Sequence, residues 1–208
     1  MFIDKLQAKY EPNEPIFINE ILDEFSEYSR GYVFKLIKKA EEKDELVNFS
    51  TGVYFIPTKT ILGLSTITTE DVVEKKYISS KDETFGIYSG LQLQNMFNLT
   101  TQMPNTIEVV TNNESMRKRE IEINGRRVIL RKSKVNITKD NVNEYMLLQL
   151  MTEAGERICE EAKKRIKKYI KDNKVDYKKT VSLAPYFPSK AIKNLIISEV
   201  FNDITQRF

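Results

Sequence analysis

The sequence predicts an α+β fold in two parts. Apolar residues at helical spacing, ending in a Thr-Gly turn, predict three helices closed by a small hairpin over residues 1–57. An Asn-Gly turn at Asn124-Gly125, flanked by β-rich runs, predicts a small sheet in the second part, residues 58–208. Beyond Asp140 the apolar period becomes helical, so this part is expected to end in helices.

The elements follow in order. Phe2, Ile3 and Leu6 give a short apolar helical face, and a helix from Ile16 to Phe25 is expected after Pro15, with Ile18, Ile21, Leu22 and Phe25 on one side. Polar residues Ser26 to Ser29 break it, and Ser29 is the expected N-cap of a third helix running to about Lys43. Val33, Leu36, Ile37 and Ala40 form the apolar side of that helix, while Arg30, Lys35, Lys38 and Lys39 fall opposite. Two short strands follow, joined near Ser50-Thr51-Gly52. Three helices and then a tight hairpin is the order of a winged helix-turn-helix, whose third helix enters the major groove while the hairpin touches the backbone. On that reading Ser29, Arg30, Tyr32 and Lys35 face base edges or nearby phosphates, and Lys38, Lys39, Lys43 and the turn residue Thr51 face the backbone. The same cations would equally serve as the solvated side of an amphipathic helix.

Pro57 closes the hairpin and marks the expected domain boundary. In the second part, Thr68 or Thr69 caps a helix from Asp71 to Lys76, and Ser89 caps one carrying Leu91, Leu93, Met96 and Phe97, which stops before Pro104. Strands are expected at Ile107–Val110, from Ile121 to Ile123, and from Val128 to Leu130. Val142, Tyr145, Met146 and Gln149 mark one side of a helix; Ile158, Ala162, Ile166 and Ile170 mark another, covered outside by lysines. A last helix capped by Ser189 is expected to bury Ile192, Leu195, Ile196 and Val200.

Composition excludes much chemistry. Across 208 residues there is no histidine, and Cys159 is the single cysteine. Ser-His and Cys-His nucleophile arrangements and the usual zinc sites are therefore ruled out, leaving carboxylate-held magnesium as the metal chemistry still open. Neither Gly-x-x-x-x-Gly-Lys-Ser/Thr nor Gly-x-Gly-x-x-Gly occurs. No apolar run is long enough for a membrane span, and the N-terminal stretch has no apolar core typical of a secretory signal, so the expected compartment is the cytoplasm. The net charge of +3 is unevenly spread: residues 1–57 hold 7 Lys and Arg against 11 Asp and Glu, and residues 117–179 hold 19 against 10. The densest arginine group, Arg126, Arg127 and Arg131 with Lys118 and Arg119, suits phosphate or carboxylate binding. Glu108, Glu120, Glu122 and Lys132 lie on or near strands, where a carboxylate–carboxylate–lysine set would hold magnesium in a nuclease. Alternating charge along an exposed strand explains the same four residues.

Four segments carry a family resemblance: GVYFIP at Gly52–Pro57, SGLQLQNMFNLTTQMP at Ser89–Pro104, EINGRRVILRKS at Glu122–Ser133 and PYFPSKAIKNLIISEV at Pro185–Val200. Together they resemble the AbiEi-type antitoxins of type IV toxin–antitoxin systems, in their abortive-infection branch. The Thr-Thr-Gln-x-Pro break with its preceding helix is the most specific of the four. The resemblance implies an N-terminal winged helix that binds promoter DNA and represses its own operon, and a mixed α/β antitoxin domain, Thr58–Phe208, that counters a nucleotidyltransferase-like toxin. It implies neither cofactor nor catalysis, no metal site and no membrane partner, and it assigns DNA binding to Arg30, Lys35, Lys38, Lys39 and Lys43. Apart from the resemblance, two other readings stay open: a magnesium-dependent nuclease, and a plain repressor whose second domain dimerises or senses a ligand.

Overall fold

The computed structural model describes residues 2–61, 63–155 and 158–201. The chain is α+β with small sheets. It divides into two compact units, Met1–Lys75 and Lys76–Phe208, so the boundary expected after Pro57 lies inside the first unit.

The first unit runs α1 (Phe2–Gln7), β1 (Ile16–Phe17), α2 (Ile18–Glu24), α3 (Arg30–Glu41), β2 (Val47–Ser50) and β3 (Val53–Phe55). Its antiparallel sheet has the order β1-β3-β2. The helix expected from Ile16 starts two residues later, because Ile16 and Phe17 pair with Tyr54 and Val53 as a strand. The Glu20 carboxylate then accepts the Phe17 N–H at 2.8 Å and caps α2, satisfying a donor that the helix itself leaves free. Leu6, Ile16, Ile21, Val33, Ile37 and Leu46 meet in one buried cluster drawn from almost every element. Each such side chain contributes about 1.5–3 kcal/mol on burial.

Residues 58–75 are tied back onto this core. After the two-residue strands β4 (Lys59–Thr60) and β5 (Gly63–Leu64), Thr68 and Asp71 form a capping box at the start of α4 (Thr69–Val73). The Ser65 hydroxyl donates to Asn13, and the Lys75 ammonium reaches the Glu14 carboxylate at 2.7 Å and the Pro15 carbonyl at 2.6 Å.

In the second unit, a π-helical turn ending at Ile78 leads to β6 (Ser79–Ser80), β7 (Glu83–Thr84) and β8 (Gly86–Ser89). Next come α5 (Gly90–Met96), β9 (Ile107–Thr111), β10 (Lys118–Ile123) and β11 (Arg126–Lys132). Four helices complete the unit: α6 (Val142–Glu153), α7 (Glu160–Asp172), α8 (Tyr177–Leu183) and α9 (Ser189–Ile197). The main sheet has the order β10-β11-β9-β8, with β9 and β11 parallel and the other pairs antiparallel. Asn124 and Gly125 both have positive φ, 47° and 75°, as a two-residue hairpin turn between right-twisted strands requires.

Several expectations change here. Ser89 ends β8, and its buried hydroxyl makes no cap bond to α5. Burial along α6 extends beyond the one side expected: Tyr145, Leu147, Leu148, Leu150 and Met151 are all fully enclosed, because α6 packs against β8, α5, α8 and α9. α7 buries Ala162, Ile166 and Ile170 as its period predicts. The helix α8 carries no strong apolar period and was not foreseen. In α9, Pro188 takes the cap position, Ile196 is 70% exposed, and the buried inward position belongs to Asn194.

The Asn194 amide donates to the Met151 carbonyl at 2.9 Å and to the Ala154 carbonyl at 3.2 Å. It thereby satisfies the C-terminal end of α6, whose last carbonyls have no partner within the helix. Replacing it by alanine should cost about 2 kcal/mol, since two buried acceptors lose their donor. Asn194→Asp should cost more, because a carboxylate would face those carbonyls. Urea titrations of both variants check this, and an Asp variant as stable as the wild type would overturn the capping role.

Tyr10 gives a pH prediction. Burial, and then the carboxylates of Glu20, Glu14 and Glu24, push its hydroxyl up to about 12. The folded state thus keeps this proton where the unfolded chain releases it, and the associated stability, complete below pH ~10, is lost as pH climbs to about 12. Tyr10→Phe should show a shallower fall in thermal midpoint across that window. Matching slopes would contradict the assignment.

Candidate nucleic-acid interface

The exposed side of α3 is built by its cap and its core. The Ser29 hydroxyl accepts the Tyr32 N–H at 3.4 Å, fixing the first turn. Val33, Ile37 and Ala40 turn inward. At 100° per residue, Arg30, Gly31, Lys35, Lys38 and Lys39 then spread over the opposite side, and all are exposed. Lys43 is exposed just past the helix end, and Thr51 is exposed at the tip of the β2–β3 hairpin. Gly52 makes that tip possible with φ of 73°, and a Cβ there would meet the Ile18 side chain at 3.1 Å.

Two aromatic residues that the sequence reading did not single out lie among these cations. Tyr28 and Phe34 are 47% and 40% exposed, beside Tyr32 at 48%. The Tyr28 and Tyr32 rings lie 5.2 Å apart, and the Arg30 guanidinium is 5.7 Å from the Phe34 ring. For Phe34 the sequence signal was an aromatic at a helical position off the apolar stripe, and for Tyr28 an aromatic in the turn just before the Ser29 cap.

Electrostatics separate this side from the acids of the same unit. Among the described residues, Lys35, Lys38, Lys39 and Lys43 make no ion pair. Four of the acids, Glu14, Glu20, Glu24 and Glu27, are engaged elsewhere. Glu24 meets Lys5 at 3.4 Å and Lys9 at 2.5 Å, Glu27 meets Lys5 at 3.5 Å, and Lys75 binds Glu14 and Glu20 at 2.7 and 3.3 Å. The hydrogen bond from Lys9 holds the Glu24 carboxyl below the usual carboxylate range. These four acids therefore do not neutralise α3, whose own acids, Glu41 in the last turn and Glu42 at the cap, lie at its C-terminal end.

The basic group of the second unit is arranged differently. Lys118 and Arg127 both bind Glu120, the first at 2.8 Å. Arg119 binds the buried Glu114 at 2.8 Å, Arg131 binds Glu108 at 3.3 Å, and Arg126 donates to the Pro104 carbonyl at 3.4 Å. Strand alternation puts Arg127, Arg131 and Lys118 on one face and Arg119 and Arg126 on the other. Glu108 and Glu120, two of the carboxylates considered for magnesium, are thus already held by cations. Glu122 stands opposite Arg127 in the hairpin register, and Lys132 is exposed. Among the described residues no three acidic or cysteine side chains cluster in a way that could hold a metal ion. None of the helices described is long and apolar enough to cross a membrane.

No curated protein and no solved structure matches the chain. A family match does exist and runs from residue 7 to residue 178, through both compact units as far as the start of α8. By that match the chain belongs to the family of unknown function DUF6088.

Proposed function

We propose that this protein is a DNA-binding regulator that represses its own promoter through a winged helix-turn-helix in the first unit, and that it serves as an antitoxin of the AbiEi type. The observation that carries the DNA-binding half is the exposed side of α3, where unpaired cations and half-exposed aromatic rings stand apart from the paired acids. The order helix, strand, helix, helix, strand, strand supports the same reading. In this scheme α3 enters the major groove. Arg30, Tyr32 and Lys35 reach base edges, Lys38, Lys39 and Lys43 neutralise phosphates, and Thr51 touches the backbone from the hairpin tip. Gly31 has nothing within 4 Å of a Cβ built on it, which lets the duplex approach the helix closely.

The antitoxin half rests on the resemblance carried by Ser89–Pro104 and the three shorter segments. On this reading the protein acts in the cytoplasm, has a nucleotidyltransferase-like toxin as its counterpart, and needs no catalytic step or cofactor. The nuclease alternative is less well supported, because arginines and a lysine already occupy two of the three carboxylates it needs, Glu108 and Glu120.

A fluorescence-anisotropy titration with duplex DNA from upstream of the gene tests the first half. The triple variant Lys35→Ala, Lys38→Ala, Lys39→Ala should bind at least about 100-fold more weakly with unchanged circular dichroism, and its log–log salt slope should be shallower by about 2–3. Unchanged affinity would refute the assignment to α3. The second half is read in cells expressing a nucleotidyltransferase-like toxin from the neighbouring gene: both the wild type and the triple variant should restore growth. Failure of the wild type to rescue would remove the antitoxin role and leave the DNA-binding result standing.

A further inference from the structure

A cleft of about 540 Å³ opens in the second unit, on the sheet face where α5 and α6 cover only part of the strands. Four cations line it: Arg117, Arg131, Lys132 and Lys134. Two carboxylates, Glu108 and Glu153, oppose them. Arg131 is answered by Glu108 at 3.3 Å, but Arg117 and Lys132 are exposed and have no partner among the described residues. The Lys134 ammonium lies 4.4 Å from the centre of the Phe187 ring, with no carboxylate in contact. The cleft therefore has positive charge left over.

Its inner wall is polar. The Gln149 amide donates to one Glu153 oxygen at 2.7 Å and the Gly90 N–H lies against the same carboxyl, while one Glu153 oxygen is buried without a well-aligned hydrogen bond. Burial pushes this carboxyl upward toward its protonated form. Gln94 also lines the cleft, and its side chain makes no hydrogen bond among the described residues. The backbone is drawn in close: Gly90 has φ of 64°, and a Cβ there would sit 2.8 Å from a Glu108 oxygen. Side-chain amides and a carboxyl, together with spare cations in the same cleft, suit a ligand that carries both an anionic group and hydrogen-bonding groups.

We infer that this cleft binds a phosphorylated small molecule of mononucleotide size, with the phosphate on Arg117, Arg131 and Lys132 and the hydroxyl- or amino-bearing end on Glu153, Gln149 and Gln94. The volume lies within the ~300–1,000 Å³ typical of small-molecule sites. Arginine binds phosphate through two parallel hydrogen bonds. A ligand hydroxyl or amine would supply the partner that the buried Glu153 oxygen lacks. The site is independent of the DNA-binding reading, which concerns residues of the other unit.

Isothermal titration calorimetry on the full chain tests this, using AMP, GMP, CMP, UMP and ribose 5-phosphate with inorganic phosphate as the reference. At least one organic phosphate should bind at least tenfold more tightly than inorganic phosphate. The exposed pair Arg117→Ala, Lys132→Ala should weaken that binding at least tenfold, and Glu153→Gln should change the ranking among the organic phosphates. The α3 triple variant should bind them like the wild type. The inference is overturned by absence of binding at millimolar concentration, by equal affinity for inorganic phosphate, by unchanged binding in the Arg117/Lys132 variant, by an unchanged ranking in Glu153→Gln, or by loss of binding in the α3 variant.

Discussion

A helix buried along most of its length has little access to water, so protein groups must satisfy its last carbonyls and its polar side chains. That requirement organises the second unit around α6. Tyr145, Leu147, Leu148, Leu150 and Met151 are fully enclosed. Asn194, reaching across from α9, supplies the donors at the C-terminal end. The buried Glu144 accepts the Asp176 N–H at 2.8 Å just before α8, and the Tyr145 hydroxyl accepts the Lys134 N–H at 3.0 Å after β11. Three different segments are thus fixed to α6 by polar contacts inside an apolar cluster. Such contacts fix position as well as adding stability, because a shifted neighbour would leave a buried polar group unpaired.

The first unit addresses a different constraint. Its sequence is acidic, yet its third helix presents unpaired cations. The two facts are compatible because α1 and the end of the unit bring Lys5, Lys9 and Lys75 against Glu14, Glu20, Glu24 and Glu27. Lys75 is largely enclosed between these acids and the Tyr10 ring, 4.8 Å away. Net charge over a segment therefore says little about the field at one helix face, since paired charges cancel over a few ångströms while unpaired ones act over about a Debye length.

The hairpin of β10 and β11 makes the converse point. Its arginines form the densest arginine group in the sequence, and each is tied to a carboxylate or a backbone carbonyl. The cations left over at the cleft, Arg117, Lys132 and Lys134, flank that group. Counting charges along the chain could not make this distinction, because the partners Glu108 and Glu114 come from other parts of the sequence.

Elements whose stabilising pattern is local were legible in the sequence. The amphipathic periods of α3 and α7, the Asn124-Gly125 turn and the Ser29 cap each depend on residues within a few positions of one another, and each forms as read. Tertiary contacts decided the rest. Ile16 became a strand because Tyr54 was there to pair with it, Asn194 is buried where Ile196 was expected because two distant carbonyls needed a donor, and Glu14, Glu20, Glu24 and Glu27 are paired because lysines from both ends of the unit met them. The sequence by itself determined which local segments could be helix or turn, since backbone preference and side-chain period are short-range. Which charges stay free and which polar groups may be buried is settled by pairing across the chain, and only the tertiary structure brings those partners together.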